Sequence, residues 1–264
     1  MKIYDHLLKV RDEKGAGFLL LLDPDKLAGT DLNRVIDKAQ DAGVDAFLVG
    51  SSLMTRDIFE KILSEIKMRA RIPVIIFPGS LFQISGKADA ILFLSVLASR
   101  NIDLIVGNHV HAAPLIRQHR LETIPTAYLL IESGKITSAH FMSDSFPVPR
   151  EKPEIAAAYA MAAEMFGMKM VYLEAGSGAP SSVPNEMIRM VSSSVQIPVT
   201  VGGGIKNPET ASELARHGAS FIVTGNFFEE NGHSDYLADF ARGVHFKESG
   251  LTTSKQKKTQ KGKA

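Results

Sequence analysis

Eight short apolar runs, separated by helical patterns, most constrain what this chain can fold into. Each run is apolar at consecutive positions, which is typical of a strand buried on both faces of a parallel sheet. Eight such strands with intervening helices favour a closed barrel over an open sheet, and 264 residues suffice for one barrel of roughly 250. The runs lie at residues 18–22, 45–49, 73–77, 90–94, 124–131, 169–173, 198–201 and 221–224. The predicted fold class is therefore α/β, a (β/α)8 or TIM barrel.

Helical periodicity fills most of the intervals between these runs. The interval between the third and fourth runs differs, since residues 83–89 carry only a short and ambiguous pattern. No linker rich in proline, glycine or serine divides the chain, so we predict one barrel domain, residues 1–250, and a lysine-rich tail, residues 251–264. The helical patterns lie at residues 31–42, 56–69, 153–166, 184–194 and 208–217.

The composition argues against several classes of protein. The chain has no cysteine, and therefore no disulfide and no thiolate metal site, which fits a cytoplasmic protein. No stretch approaches the ~20 apolar residues of a membrane span. The net charge of +1 does not indicate nucleic-acid binding. The charge is unevenly distributed, because residues 252–264 hold five lysines and the rest of the chain has a net charge of −4. We interpret this tail as a disordered end; the alternative is a weak attraction to anionic lipid headgroups, at most about 1 kcal/mol per lysine.

Two segments near the C-terminus predict a phosphate site. Residues 199–205 and 221–226 each read as a buried strand that runs directly into glycine, with helical patterns from about residues 208 and 234. Two consecutive units of this kind form the usual phosphate-binding corner of a (β/α)8 barrel. Glycine lets the backbone approach a ligand closely, and the amides of a helix N-terminus favour an anion. The substrate is therefore expected to carry a phosphate.

Strand ends in such a barrel carry its chemistry, and the first two strands deliver oxygen ligands there. Asp23 follows the first run directly, and Ser52 follows the second. A carboxylate and a hydroxyl suit Mg²⁺, which takes few protein ligands. The alternatives are structural, because Asp-Pro is a turn signal and serine commonly caps helices.

The sixth run places a second carboxylate at the barrel mouth. Tyr172 and Glu174 are two residues apart and point to the same side of the strand, while Leu173 points the other way. Glu174 can then act as a general base on an alcohol, and Tyr172 can bond a substrate hydroxyl or phosphate. The alternative for Glu174 is a structural ion pair with a lysine such as Lys26.

Two further features are open to more than one interpretation. Residues 143–150 contain two prolines in an extended stretch, which excludes helix and predicts either an active-site lid or a surface connection. His109 and His111 lie at the start of a helix, and without a metal-binding pattern we interpret them as surface or structural residues.

Six motifs, in this order and at these strand ends, carry a resemblance to a known family. They are LDPDK at 22–26, VGSS at 49–52, FPGS at 77–80, YLEAGSG at 172–178, VGGGI at 201–205 and TGN at 224–226. Together they resemble the geranylgeranylglyceryl phosphate synthases, prenyltransferases of (β/α)8 fold that include the bacterial heptaprenylglyceryl phosphate synthases. Residues 128–135 and 146–149 resemble the corresponding segments of the family's subgroup found in some bacteria and archaea, rather than those of the heptaprenyl enzymes.

The resemblance implies a reaction and a site. A geranylgeranyl group would pass from geranylgeranyl diphosphate to the 3-hydroxyl of sn-glycerol 1-phosphate, forming an ether, with Mg²⁺ as cofactor. Asp23 and Ser52 match the family's metal positions, although Ser51 stands where the family often has glycine. The implied glycerol phosphate residues are Tyr172, Leu173, Glu174 (the catalytic base), Ala175, Gly176, Ser177 and Gly178, with Gly203, Gly204, Gly225 and Asn226 as the phosphate cradle.

The resemblance also sets expectations about the surroundings of the site. The family forms dimers or hexamers, so we expect a homo-oligomer, with at most peripheral contact to a membrane. The prenyl chain needs an apolar channel, for which the candidates by strand position are Phe77, Pro78, Phe82 and Leu97.

Three alternatives stay open at this stage. One is another phosphate-handling barrel, an isomerase or lyase. Isomerases of the histidine type need an aspartate after the fifth strand, and residues 131–134 at that position contain none. A second is a catalytically silent phosphate-binding protein on the same scaffold. A third is a prenyltransferase that uses a different chain length.

Overall fold

In a computed structural model, eight parallel strands form a closed barrel in which each strand pairs with the next along the chain and the eighth pairs with the first. The structure describes residues 1–225 and 236–247. The strands are β1 (Gly17–Leu22), β2 (Ala46–Val49), β3 (Val74–Ile76), β4 (Ala90–Val96), β5 (Glu122–Leu130), β6 (Met170–Glu174), β7 (Val199–Gly202) and β8 (Phe221–Thr224). The predicted (β/α)8 fold class is confirmed.

Helices surround the barrel and connect its strands. The five predicted helical segments are confirmed to within three residues at each end, and no helix of the described residues is long and apolar enough to cross a bilayer. The helices are α1 (Ile3–Lys14), α2 (Pro24–Leu27), α3 (Leu32–Asp41), α4 (Phe59–Arg69), α5 (Asn108–Gln118), α6 (Ser138–Met142), α7 (Pro153–Met165), α8 (Asn185–Ser194), α9 (Pro208–Arg216) and α10 (Leu237–Val244).

The strands are apolar at consecutive positions because each separates two buried layers. Along β6, Val171 and Leu173 pack outward among the side chains that join the barrel to its helices. Met170 and Tyr172 pack inward among the side chains that fill the barrel. Because side chains alternate across a strand, Glu174 follows Tyr172 onto the inner side at the end of the strand.

One connection departs from the regular barrel. Between β3 and β4 the chain forms only a 3₁₀ turn, Leu81–Gln83, where a regular unit would have a helix. After β4 a π-helical segment, Asp103–Gly107, leads directly into α5. The helical pattern at residues 83–89 is weak because this connection contains no α-helix. The outer side of β4 is covered by the 3₁₀ turn and α5 instead.

The proline-containing loop at residues 143–150 contains no helix, as predicted, and is extended between turns at its two ends. Its backbone bridges to the barrel twice, through the pairs Ser99–Ser145 and Ile131–Val148. Arg150 then donates hydrogen bonds to the carbonyls of Glu132 and Ser182 at 3.1 and 2.9 Å. These contacts hold the loop against the mouth of the barrel, and a lid function for it stays a prediction.

Three sequence-based expectations fall beyond the described residues. They are the phosphate-cradle residue Asn226, the start of the last helical pattern near residue 234, and the tail at residues 251–264.

Candidate active site

A single cavity of about 440 Å³ opens at the carboxyl ends of the strands and joins two chemically different regions. At one side it is lined by Glu174 and by glycines of the loops after β6, β7 and β8. At the other side it is lined by apolar side chains of the 3₁₀ turn, β4 and α5. We call these the polar end and the apolar arm of the cavity. A volume of this size suits a small-molecule substrate.

Glu174 is the buried carboxylate of the polar end. Its side chain is only 6% exposed, and its Oε1 accepts a 2.6 Å hydrogen bond from the backbone N–H of Gly176. Burial raises the pKa of Glu174 to about 7, although the Gly176 N–H and the Tyr172 hydroxyl both lower it. Within the described chain Glu174 takes part in no ion pair, so the alternative pairing with Lys26 is not observed. A carboxyl with a pKa near 7 is well matched to general-base work at neutral pH.

Tyr172 lies beside Glu174 in a cluster of three aromatic rings. Its ring stacks on Phe77 with centroids 5.2 Å apart and meets Tyr128 at 5.3 Å. The Tyr172 hydroxyl is buried and has no hydrogen-bond partner of good geometry among the described residues. Burial, followed by the charge of Glu174, raises the pKa of both tyrosines well above the ordinary value. Both phenols therefore stay protonated and can donate, and the Tyr172 hydroxyl lies next to the Glu174 carboxylate at the edge of the cavity.

Asp23 and Ser51 meet at the neighbouring strand ends. One oxygen of Asp23 accepts the Asp25 N–H at 3.1 Å and so caps α2, and the other lies 3.1 Å from the Ser51 hydroxyl. The structural reading of Asp23 as a cap is thus correct, and it leaves the carboxylate facing a second oxygen donor. Ser52 lines the cavity, but the hydroxyl that bonds Asp23 belongs to Ser51.

Glycine-lined turns converge at the polar end. Gly203 and Gly204 have φ angles of +82° and +67°, which lie in the left-handed region that favours glycine. A Cβ at Gly204 would lie 2.4 Å from the Ser181 carbonyl oxygen, so the loops after β6 and β7 touch through their backbones. Lys206 lies on the same rim, with its Nζ 3.3 Å from the Pro180 carbonyl oxygen.

The predicted substrate residues divide by the direction in which they point. The side chains of Leu173 and Ala175 are fully buried in the outer layer and can serve this site only through their backbone. The Gly176 N–H is engaged by Glu174. The predicted residues that line the cavity are Ser52, Tyr172, Glu174, Ser177, Gly178, Gly203, Gly204 and Gly225.

The apolar arm occupies the space that the missing helix leaves. Phe77 and Pro78 line the cavity as expected, but Phe82 is 91% exposed and Leu97 packs against the outer core. Leu81 and Ile84 on either side of Phe82 line the arm instead. The expectation for Phe82 was wrong because a 3₁₀ turn rotates successive side chains by about 120°, and that for Leu97 was wrong because Leu97 follows β4 and packs against the outer core.

His109 is partly buried and packs in the interior, which is one of the two roles expected for it. It lines the cavity, packs edge-on against Phe93 with centroids 4.3 Å apart, and lies 3.3 Å from the Ser95 hydroxyl. Burial lowers the pKa of His109. His111 is exposed, as expected.

Besides Leu81, Ile84 and Lys206, sequence reasoning missed Tyr128 and Gln83. Tyr128 on β5 lies in the aromatic cluster, and its inward direction could have been read from the strand alternation. Gln83 is fully buried and bonds the loop after β2, yet it lies in the one segment with no clear periodicity. No local signal marks such a residue.

Comparison with known proteins decides the family. Residues 8–243 match the PcrB family. This chain belongs to the PcrB family. It is 42% identical over 225 residues to the geranylgeranylglyceryl phosphate synthase of Spirosoma linguale, covering 84% of this chain and 90% of that protein. It is also 42% identical over 225 residues to the synthase of Thermococcus sibiricus, covering 85% and 87% of the two chains. The resemblance seen in the motifs is thus confirmed.

Solved structures place this PcrB-family chain among the same proteins. The (S)-3-O-geranylgeranylglyceryl phosphate synthase of Thermoplasma acidophilum, in complex with sn-glycerol-1-phosphate, superposes with a TM-score of 0.88 at 35% identity, covering 93% of this chain and 99% of that one. Tryptophan synthase of Mycobacterium tuberculosis reaches a TM-score of 0.58 at 15% identity, covering 92% and 98%. At that identity the second likeness shows a shared barrel fold and gives no support to a lyase.

Proposed function

We propose that this chain is a geranylgeranylglyceryl phosphate synthase, which transfers a geranylgeranyl group from geranylgeranyl diphosphate to the 3-hydroxyl of sn-glycerol 1-phosphate. The observation that carries the proposal is a buried carboxyl with a pKa of about 7 at the junction of a glycine-lined polar end and an apolar arm. The relatives that bear this name, and the glycerol phosphate complex of one of them, support it.

The reaction forms one carbon–oxygen bond, breaks another and moves one proton. The 3-hydroxyl oxygen of glycerol phosphate bonds to the first carbon of the prenyl group as that carbon's bond to diphosphate breaks. Glu174 accepts the hydroxyl proton, and the diphosphate leaves with the electron pair. The glycine turns and the rim lysine Lys206 would hold the substrate phosphate and so fix the angle of approach. Tyr172 would turn its hydroxyl from Glu174 to donate to a glycerol oxygen.

Water must be excluded from the prenyl carbon, or hydrolysis competes with transfer. The aromatic rings of Phe77, Tyr128 and Tyr172 form an apolar wall beside Glu174. The apolar arm beyond Phe77 would take the hydrocarbon chain and leave its diphosphate end near Ser51, which lines the cavity and whose hydroxyl bonds Asp23 behind it.

A Mg²⁺ site is part of this proposal, and the oxygens of Asp23 and Ser51 fit it. Among the described residues no group of three or more histidine, aspartate or glutamate side chains converges. Mg²⁺ does not require one, since it is commonly bound by one or two carboxylates with water and substrate phosphates. Asp23 and the hydroxyl of Ser51 or Ser52 would hold the ion, which when bound would offset the charge on the leaving diphosphate.

A transfer assay tests the proposal. Labelled geranylgeranyl diphosphate with Mg²⁺ is offered sn-glycerol 1-phosphate or its 3-phosphate enantiomer, and farnesyl and heptaprenyl diphosphates are run in parallel. Ether formation with the 1-phosphate and the C20 donor is expected. A folded protein that binds glycerol phosphate and transfers nothing would contradict the proposal and favour a silent binding protein. Preference for another donor would correct the chain length alone.

The metal assignment has its own test. Asp23→Asn should raise the Mg²⁺ concentration for half-maximal transfer about tenfold, because it removes the charged ligand. Comparing Ser51→Ala with Ser52→Ala identifies the hydroxyl ligand, and we expect Ser51→Ala to have the larger effect, since Ser51 bonds Asp23. An unchanged Mg²⁺ titration in all three variants would count against this site.

We also propose that the chain forms a homo-oligomer. Near the cavity, Phe82, Phe141 and Phe146 expose 91%, 79% and 77% of their surfaces, which is unusual for large apolar side chains of a monomer. Light scattering of the purified protein should therefore give a mass of at least twice 28.7 kDa. A monomeric mass at micromolar concentration would overturn this part of the proposal.

A further inference from the structure

We propose that Gln83 is a positioning residue, which holds the Ser51 hydroxyl towards Asp23 and couples the apolar arm of the cavity to its diphosphate end. The inference rests on the proposed function, because it assumes that a prenyl diphosphate occupies both places. Gln83 lies in the 3₁₀ turn, and nothing in the sequence marks it as part of the site.

The side-chain amide of Gln83 ties together the loops after β2 and β3. Its Oε1 accepts the backbone N–H groups of Ser51 and Gly79, each at 3.1 Å. Its Nε2 donates to the Ser51 carbonyl at 2.8 Å. The side chain is 1% exposed, so water does not replace these bonds when the amide is removed.

These bonds determine the backbone conformation of Ser51 and so the direction of its hydroxyl. Gln83 engages both the N–H and the carbonyl of Ser51, which leaves its peptide planes little freedom to rotate. With the backbone held in this way, the hydroxyl lies 3.1 Å from an Asp23 oxygen. A Cβ at Gly50 would lie 1.8 Å from the Phe77 carbonyl oxygen, and one at Gly79 would lie 2.0 Å from that of Ser51. The two loops are therefore in direct backbone contact, and the Gln83 amide fits between them.

The same turn also forms a wall of the apolar arm. Leu81 and Ile84, which flank Gln83 closely in sequence, both line the cavity, while Gln83 itself points to the Ser51 loop. A hydrocarbon chain packed against Leu81 and Ile84 therefore contacts the same turn that positions Ser51. A helix in this connection would fill the arm, whereas a short turn leaves the arm open and keeps one amide in contact with the Ser51 loop.

The test uses Gln83→Met, which keeps the length of the side chain and removes its three hydrogen bonds. Affinity for an unreactive thiolodiphosphate analogue of geranylgeranyl diphosphate is measured by calorimetry, and KM values are measured for both substrates. We expect the analogue to bind about tenfold more weakly and its KM to rise in parallel, while KM for glycerol phosphate stays within about twofold. Equal changes for both substrates would indicate a general structural role and overturn the inference.

Gln40→Met is the matched control. Gln40 also uses its side-chain oxygen to accept a backbone N–H from another connection, that of Arg71, but it lies on α3 away from the cavity. We expect Gln40→Met to lower the melting temperature and to leave both KM values unchanged. A loss of analogue affinity in this control as large as that in Gln83→Met would also overturn the inference.

A double-mutant cycle asks whether Gln83 acts through Ser51. In a Ser51→Ala background, Gln83→Met should cause no further loss of analogue affinity, and additive losses would overturn the inference. If Gln83→Met does not fold, Gln83→Glu keeps the acceptor for two N–H groups and removes the donor to the Ser51 carbonyl. We expect it to lose part of the analogue affinity, and wild-type affinity would contradict the role. A wild-type protein that binds no analogue and transfers nothing would count against the proposed function instead.

Discussion

The backbone N–H of Gly176 donates a 2.6 Å hydrogen bond to Oε1 of Glu174, two residues earlier in the chain. The turn that permits it needs glycine, since Gly176 has a φ of +96° and a Cβ there would lie 2.2 Å from the Thr137 hydroxyl. The bond fixes the orientation of a buried carboxylate whose other polar neighbour is the Tyr172 hydroxyl. It also limits the rise in pKa that burial causes, so that Glu174 titrates near neutrality.

Transfer should therefore depend on pH through Glu174. With a pKa of about 7, the base is protonated and inactive in acid, so kcat/KM should rise about tenfold per pH unit below 7 and reach a plateau above it. Glu174→Gln should lower kcat by about 10²–10⁴-fold. The phosphate of the substrate also titrates near pH 6 and must be separated from this effect. The control is the pH profile of the residual activity of Glu174→Gln, which should lack the inflection near pH 7. Near-normal activity in that variant would show that Glu174 is not the base.

The same substitution should stabilise the protein at high pH. The folded-state pKa of Glu174 is raised, so folding is favoured while the group is protonated and loses that advantage as pH rises through about 7. Glu174→Gln removes the buried charge and keeps an acceptor for Gly176. We expect it to be more stable than the wild type by up to about 3 kcal/mol at pH 8, with the difference vanishing below about pH 4.5. Urea denaturation at the two pH values measures this, and a variant less stable at pH 8 would contradict it.

Gly204→Ala should impair glycerol phosphate binding specifically. The new Cβ would meet the Ser181 carbonyl and push apart the two loops that form the phosphate cradle. We expect KM for glycerol phosphate to rise about tenfold or more, since loop backbones carry the phosphate contacts. Gly29→Ala is the matched control, because Gly29 has a similarly positive φ of +87° but nothing lies within 4 Å of its Cβ position. It should lose about 1 kcal/mol of stability and keep its KM. Equal KM values for the two variants would argue against the cradle.

Asp45 at the opposite end of the barrel should govern stability in acid. Its carboxylate is 6% exposed and bonds Lys14 Nζ at 2.9 Å, His245 Nε2 at 2.8 Å and the Phe18 N–H at 2.8 Å. Burial alone would raise the pKa of Asp45. Its interactions with His245 and Lys14 lower the pKa by more than burial raises it, so the pKa lies below the ordinary value. The stability it contributes is therefore present above about pH 4 and is lost as pH falls through the lowered pKa.

Asp45→Asn should cost about 2–4 kcal/mol at pH 7 and less at pH 3, because it removes one partner of a buried ion pair. Asp37→Asn removes an exposed ion pair with Arg69 and serves as the control, with little change expected. Denaturant titrations at the two pH values distinguish them. A penalty for Asp45→Asn that does not shrink in acid would show that packing rather than charge dominates.

Much of this protein could be read from its sequence because the information is local. Runs of consecutive apolar residues mark the strands, and strand ends in a closed parallel barrel gather at one mouth. Glu174 and the glycines of the phosphate corner were therefore predictable as neighbours, and so were Asp23 and the serines that follow β2. The two-residue alternation along β6 likewise separated Glu174 from Leu173.

Tertiary structure alone decided the rest, because it depends on contacts between segments that lie far apart in the chain. Ser51 rather than Ser52 bonds Asp23, since Gln83, 32 residues away, sets the rotation of that loop. The apolar arm exists because a helix is absent, and Leu81 and Ile84 rather than Phe82 face it because a 3₁₀ turn follows neither a strand nor an α-helical period. The pKa of Glu174 depends on its burial in the folded barrel and on its contacts with the Gly176 N–H and the Tyr172 hydroxyl. Sequence determined which groups meet at the mouth of the barrel, and packing determined which of their atoms face one another.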